Sequence, residues 1–363
     1  MQSERRVLSH EPELLSKLKA GAAPLGPGSW QEIEPVGLRN GLPCGDVILC
    51  HARDVTWFPR LGLMLGADGI PLSSSSSGKA RDSVVALGQQ GRGKWSAFSM
   101  NKRPVRRLAH AAVWMNRGGR SNYGHFIFDC LSALSWMDDQ KLSDQYMPVA
   151  PPLVRWQRDL LNCIRPGEPI QIVDDQAIRI DEVLYTSCLN HYLHRNAGLF
   201  TGLVDKLSPL RSMDQRTGRD MVYLSRRGMT GRIMVNEADL EKRLKSVGVT
   251  IVRPEKMSVA QQIAVVGAAG TIIGASGAAL ANLCFLPKGG RLIEIRPAPV
   301  QEPWLDLACA NLNLEHKVIA ASDPFPRQKV PVWHFVRQLP RAILKRYHFS
   351  FDVDIDRVLE SLK

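Results

Sequence analysis

Two short stretches of this chain hold residue types that can move protons or bind anions. In the first, His125 and Asp129 stand four residues apart in N-Y-G-H-F-I-F-D, residues 122–129. On a helix that spacing projects both side chains from one face. Imidazole titrates near neutrality, so the pair suits general-base chemistry, with Asp129 orienting His125 or acting as the base itself. The structural alternative is a His125 that hydrogen-bonds within its domain and holds the loop 116–122, and acceptor binding is a third reading. In the second stretch, Ser276, Gly277 and Ala278 form a small-residue turn between the apolar run Thr271–Ile273 and the start of a helix. Such a turn lets a ligand approach the backbone, and the N–H groups of the helix favour phosphate. Small residues also occur where a helix packs tightly on a sheet, so both readings stand.

Charged residues flank that turn in sequence. Arg226, Arg227 and Arg232 follow the apolar pair Tyr223-Leu224. The planar fork of Arg suits phosphate, and a solvated basic turn is the plain alternative. Asn236 is a natural N-cap, and Glu237 either benefits from the helix dipole or pairs with Arg227 or Arg232. Glu255 lies in a strand-to-helix loop suited to contact a nucleoside, although Ser258 there also reads as an N-cap. Asn282 falls on the helix after the small-residue turn. Glu294 ends the next strand, where its carboxylate can accept from ribose hydroxyls or pair with Arg296 at the surface. His191 and His194 are weaker candidates for acceptor contact. Asp352-Val-Asp354 has the letters of a metal-binding carboxylate pair but sits in the tail and reads as surface structure, so no metal is implied.

The elements that must position these residues follow from periodicity. From Tyr223 to Ile295 the chain alternates short apolar runs with amphipathic segments. That order predicts an α/β fold with a doubly wound parallel sheet and ligands beyond the strand carboxyl ends. Upstream, Ala111–Trp114 reads as a strand and residues 116–122 as a polar loop. Tyr123–Asp139 reads as a helix with Phe126, Cys130, Ala133, Leu134 and Met137 on one buried stripe. Expected divisions are a charged N-terminal segment, 1–28, an α/β domain, 29–205, a second α/β domain, 206–324, and a basic tail, 325–363, packing back. Pro71–Lys79 is low-complexity and reads as a mobile loop, and Gly198–Arg219 as a link between the halves.

Bulk properties narrow the class. At 363 residues, with 44% hydrophobic and 23% charged residues, the chain is globular and long enough for two domains. Seven Cys residues without a C-x-x-C pair fit a reducing compartment. The N-terminus lacks an apolar leader core, and no apolar run approaches the ~20 residues of a membrane span, so a cytoplasmic location is expected. A net charge of +12 suits phosphate-bearing ligands, an anionic membrane surface or nucleic acid. The chain contains no nucleic-acid motif, which argues against the last. Arg337, Arg341, Lys345, Arg346 and His348 would let the tail touch the inner face of a membrane, and docking on the chain's own surface is simpler.

Three ordered motifs carry a family resemblance: S-R-R-x(4)-R-x(3)-N-E, then G-V-x-I-x-x-P-E-x-M-S-x-x-Q-Q, then I-I-G-x-x-G-A-x-L-A-N-x-x-F-x-P. With N-Y-G-H-x-x-x-D upstream, the series resembles glycosyltransferase family 61 over roughly Gly119–Pro297. The resemblance implies two Rossmann-like domains facing a cleft, in the GT-B manner. It also implies metal-independent, inverting transfer of a sugar from a nucleoside diphosphate sugar, UDP-linked by expectation, to a surface or capsular glycan that is lipid-linked or free. The first domain would serve the acceptor, with His125 and Asp129 as catalytic residues. The second would hold the donor through Arg226, Arg227, Arg232, Glu237, Glu255, Ser276, Gly277, Ala278, Asn282 and Glu294. The chain departs from the family at Ser276, where the pattern has His, and at Ala279, where it has Gly. Alternatives on the same scaffold are a sugar-nucleotide epimerase and a non-catalytic sugar-nucleotide binder.

Overall fold

The structure is a computed structural model that describes residues 5–8, 30–33, 47–67, 106–186, 197–207, 220–229, 231–300, 303–322 and 349–363. Pro71–Lys79, His191, His194 and the basic tail residues from Arg337 to His348 lie outside them. The chain divides into two compact units, Met1–Lys206 and Leu207–Lys363. No helix among the described residues is long and apolar enough to cross a membrane.

In the first unit, β1 (Arg5–Leu8), β2 (Trp30–Ile33), β3 (Val47–Phe58), β4 (Leu63–Leu65), β5 (Arg106–Val113), β6 (Met147–Ala150), β7 (Gln171–Ile172) and β8 (Ile178–Thr186) share one mixed sheet. The neighbours β7-β6-β5-β8 are all parallel, so in chain order these strands lie 3-2-1-4. Strand β3 runs antiparallel on the outer side of β8. Val113, Val149, Ile180, Val183 and Trp57 are buried together, which holds these strands in register. The order reverses between β5 and β8. In parallel sheets the crevice for ligands opens beyond the strand carboxyl ends at such a point. The chain leaves β5 there and enters the polar loop 116–122.

That loop leads into one continuous helix, α1, made of Tyr123–His125, a π-helical turn over Phe126–Leu131, and Ser132–Asp139. Its start is fixed by Asn122, whose side-chain oxygen accepts from the His125 backbone N–H at 3.1 Å. The expected single buried stripe is too narrow, because every residue from Phe126 to Met137 is buried. Ile127, Phe128 and Leu131 are also apolar, so the helix is enclosed on all sides. Helix α2 (Arg155–Ile164) reaches the same loop through Gln157, whose amide donates to Gly119 O at 2.7 Å. Within the stretch read as a link, Ala197–Leu207 forms a helix, α3, whose Lys206 pairs with Asp139 at 2.8 Å.

The second unit holds a five-stranded sheet of β9 (Met221–Leu224), β11 (Thr250–Val252), β12 (Thr271–Ala275), β13 (Arg291–Arg296) and β14 (Glu315–Ala320). Every pairing is parallel and the order is β11-β9-β12-β13-β14, or 2-1-3-4-5 in chain order. The α/β class expected from sequence is present. Ile272, Ile273, Leu292, Ile293 and Ile295 are fully buried, as central strands covered on both faces must be. The connections are α4 (Glu237–Ser246), α5 (Val259–Ala268), a 3-10 helix over Ala278–Phe285 and α6 (Trp304–Leu312). Ser258 caps α5 through a reciprocal bond pair with Gln261.

The chain end packs on this unit. A two-residue strand, β10 (Ile233–Met234), pairs with β15 (Ser350–Phe351), and Phe349, Phe351 and Val358 join the core around Tyr223 and Leu240. Helix α7 (Ile355–Glu360) is capped by Asp354, so this acid of the D-x-D letters serves a helix end. Asn236 departs from its expected role. Its side chain makes no cap bond and instead grips Val353, donating to its carbonyl at 2.7 Å and accepting from its N–H at 3.2 Å.

Candidate active site

In the first unit the loop after β5 and the first turns of α1 bring four side chains together. His125 Nδ1 lies 2.8 Å from Asp129 Oδ2. The same oxygen accepts from Asn116 Nδ2 at 3.0 Å, and Asn116 Oδ1 accepts from the Gly119 backbone N–H at 2.7 Å. Asp129 is wholly buried, whereas the His125 side chain retains 23% of its exposure. Gly119 is required by this packing, because a Cβ there would overlap the Cys130 thiol and come within 3.5 Å of Phe126 Cα. A carboxylate only accepts hydrogen bonds, so this contact suits the tautomer of His125 that carries its hydrogen on Nδ1. That is the arrangement by which a buried acid orients a general base. Asp129 falls in the π-helical turn, a distortion that recurs at functional sites.

In the second unit the site residues gather where the strand order reverses, at the carboxyl ends of β9 and β12. Arg226 follows β9 and lies against Gly277, which follows β12. A Cβ at Gly277 would overlap the Arg226 guanidinium, whose Cζ would lie 3.1 Å away, so glycine is what lets the two segments meet. Arg226 Nη2 donates to Gly231 O at 3.1 Å, while its buried Nε finds no partner among the described residues. No carboxylate among them forms an ion pair with Arg226. Burial, and next the nearby charge of Arg232, lower its pKa to about 10. Beside it, Gly277, Ala278 and Ala279 open the 3-10 helix, and the first N–H groups of a helix lack internal acceptors. The segment is wound as a 3-10 helix, tighter than the helix expected, with Leu280 seated on Gly274.

Of the other residues expected at the donor site, Arg227, Glu237 and Asn282 are committed to partners within the unit. Arg227 pairs with Glu241 on α4 at 2.9 Å. Glu237 pairs with neither Arg227 nor Arg232. It is buried, and one of its oxygens accepts from Tyr223 Oη at 2.9 Å and from the Arg226 backbone N–H at 2.7 Å. Glu237 therefore sets the turn that carries Arg226. Arg232 sits in this loop with a left-handed backbone, φ 50°. Glu255 is exposed on a short 3-10 turn over Pro254–Lys256. Asn282 is fully buried and ties the 3-10 helix to α5 through Gln262 at 3.0 Å.

Glu294 is not a surface residue, as its pairing with Arg296 had suggested, but only 1% exposed. It accepts from the Ser276 hydroxyl, from Arg296 Nη2 at 2.5 Å and from His316 Nε2 at 3.0 Å. Arg296 also reaches both Asp306 oxygens, at 3.1 and 3.0 Å, and His316 Nδ1 lies 3.3 Å from Asp306. Burial alone would lower the His316 pKa, but the bonds to Asp306 and Glu294 outweigh it and raise the pKa to about 9. The same bonds hold Glu294 and Asp306 below the usual carboxylate range against the opposing effect of burial. Ser276 is thus anchored to a buried ion network beneath the turn.

Sequence reasoning missed Asn116, Asp306 and His316. Asn116 had a usable signal, since it is the polar residue just past a strand end. His316 had none, because its role depends on β14 lying beside β13. Among the described residues, no group of three or more His, Cys, Asp or Glu is placed to hold a metal ion.

Residues 123–293 match the model of the glycosyltransferase 61 family, a span that runs from the first residue of α1 into β13 and so takes in His125, Asp129, Arg226 and Gly277. No curated protein matches the chain. The chain carries a glycosyltransferase family 61 domain, and its chemistry is that of a glycosyltransferase.

Proposed function

We propose that the chain transfers a sugar from a nucleoside diphosphate sugar, UDP-linked, to a surface or capsular glycan acceptor, with inversion and without a metal. The observation that carries this reading is Arg226, a cation with a buried, unpartnered Nε and a guanidinium that forms no ion pair with a carboxylate among the described residues. Burying such a group is costly unless an anion completes it. A diphosphate does so, with the N–H groups at Gly277–Ala279 beside it.

In this reaction His125 Nε2 takes the proton of the acceptor hydroxyl, with Asp129 stabilising the imidazolium that forms. The hydroxyl oxygen bonds to the anomeric carbon as the bond from that carbon to the diphosphate oxygen breaks. Arg226 and the helix N–H groups take up the charge on the departing diphosphate. One displacement inverts the anomeric centre. Donor and acceptor must meet, and two domains facing a cleft belong to this reading, as does action in the cytoplasm.

The test is calorimetric titration with UDP, GDP and CMP, with magnesium and with chelator, beside Arg226→Gln. Arg226 rather than Arg227 is the diagnostic position because Glu241 already neutralises Arg227. We expect UDP-selective binding that survives chelation and weakens about 10- to 100-fold in the variant. Equal binding by Arg226→Gln would remove the donor assignment.

A further inference from the structure

A second basic locus lies outside the donor residues, on the rim of the His125 site. The tip of the β3–β4 hairpin packs against the loop after β5, where a Cβ on Gly62 would come within 2.9 Å of Arg117 N. Arg120 Nη1 donates to the Arg60 carbonyl across the same contact. Arg60, Arg117 and Arg120 therefore converge on one edge. Burial and the charges of Arg60 and Arg117 hold the Arg120 pKa below its usual value. Only Arg60 is paired with a carboxylate among the described residues, through Asp174. The loop is not loose, since Gln157 and Asn116 both bind Gly119 between the two loop arginines. Next to it, the half-buried rings of Tyr123 and Trp156 stand 5.5 Å apart, and Trp156 meets Phe126 edge-on at 5.1 Å. Tyr123 precedes His125 by two residues on the opening turn of α1.

We infer that this rim binds an anionic group carried on the acceptor sugar, a phosphate or a carboxylate, held by Arg117 and Arg120 with Arg60 beside them. This rests on the acceptor role proposed for the first unit. Three guanidiniums against one carboxylate leave an excess of positive charge, and their forks match both anions. Tyr123 and Trp156 supply flat apolar faces for the C–H face of the ring that bears the anion. A neutral acceptor would use the aromatic faces and leave the arginines idle.

Titrating the full chain with glucose 1-phosphate, glucuronate and glucose at low salt, with saturating UDP present, tests this. UDP occupies the Arg226 site, and its own titration reports separately on the donor reading. At least one anionic sugar should bind more tightly than glucose, and Arg117→Gln/Arg120→Gln should weaken it about 10- to 100-fold with UDP affinity unchanged. Arg117→Gln alone, at an exposed position, should give a smaller loss in the same direction. The inference fails if neither anion outbinds glucose, or if the double variant binds as the parent does. It also fails if Arg226→Gln, rather than the rim variant, removes the binding.

Discussion

Each unit sets a histidine against a buried carboxylate, and the two are built for opposite purposes. His125 gives Nδ1 to Asp129 and keeps 23% of its side chain exposed. His316 gives both nitrogens to carboxylates, Nε2 to Glu294 and Nδ1 to Asp306, and keeps 11%. A histidine whose ring keeps some exposure can exchange a proton with a substrate. One clamped between two acids is held as the cation and serves as a strut. Perturbation of titration alone would point to His316, since its pKa is the one raised to about 9. Geometry points instead to His125, because access to a substrate proton matters more than a shifted pKa.

The sharpest way to break this comparison is to remove each imidazole. His125→Ala should lower kcat by roughly 10²–10⁴-fold while the melting temperature stays close to the parent's. Asp129→Asn should lose a large part of the same activity, since the orienting charge is gone while the shape is kept. Steady-state rates beside thermal melts check both, and an active His125→Ala would make the dyad structural.

His316→Leu should do the reverse. It leaves Glu294 and Asp306 with Arg296 as their remaining charged partner, at a cost of about 3–5 kcal/mol in stability, with kcat within a few-fold. The pH dependence has a definite sign. His316 has a folded-state pKa raised to about 9. Its contribution is therefore complete below the ordinary imidazole value of about 6.5 and is lost as pH rises through about 9. The loss is on the order of 3 kcal/mol. Denaturant unfolding of parent and variant from pH 6 to 10 checks this, because the loss of stability between about pH 6.5 and 9 should be smaller in His316→Leu. Glu294 and Asp306 are shifted down, so their contribution falls away only on acidification through their folded-state values.

The smallest expected effect sharpens the donor side. Gly277→Ala should weaken UDP binding about 3- to 10-fold, because the added methyl displaces the Arg226 guanidinium. In an Arg226→Gln background the same change should cost little, since the two positions act through one contact. Additive losses in calorimetry would separate glycine from arginine.

Some of this was legible in the chain and some was not, for definable reasons. The dyad was readable because residues four apart on a helix must share a face, and the π-helical turn did not undo that. The second-unit sheet was readable from its apolar alternation. Arg226 and Arg227 were not distinguishable, since adjacent residues leave a strand in different directions and only the position of Glu241 on α4 decides which is neutralised. Glu294 read equally well as a ribose ligand, and its burial beneath Ser276 came from β14 and α6 packing around it.

By itself the sequence determined the α/β class, the family, the helix that carries His125 and the small-residue turn at Ser276–Ala278. Each of these depends on neighbours within a few residues or on a local pattern of apolar positions. The tertiary structure alone decided which charges remain available. Ion pairs such as Arg227–Glu241 and His316–Asp306 join separate elements, and a side chain's capacity to bind a ligand is what remains after such partners have been satisfied.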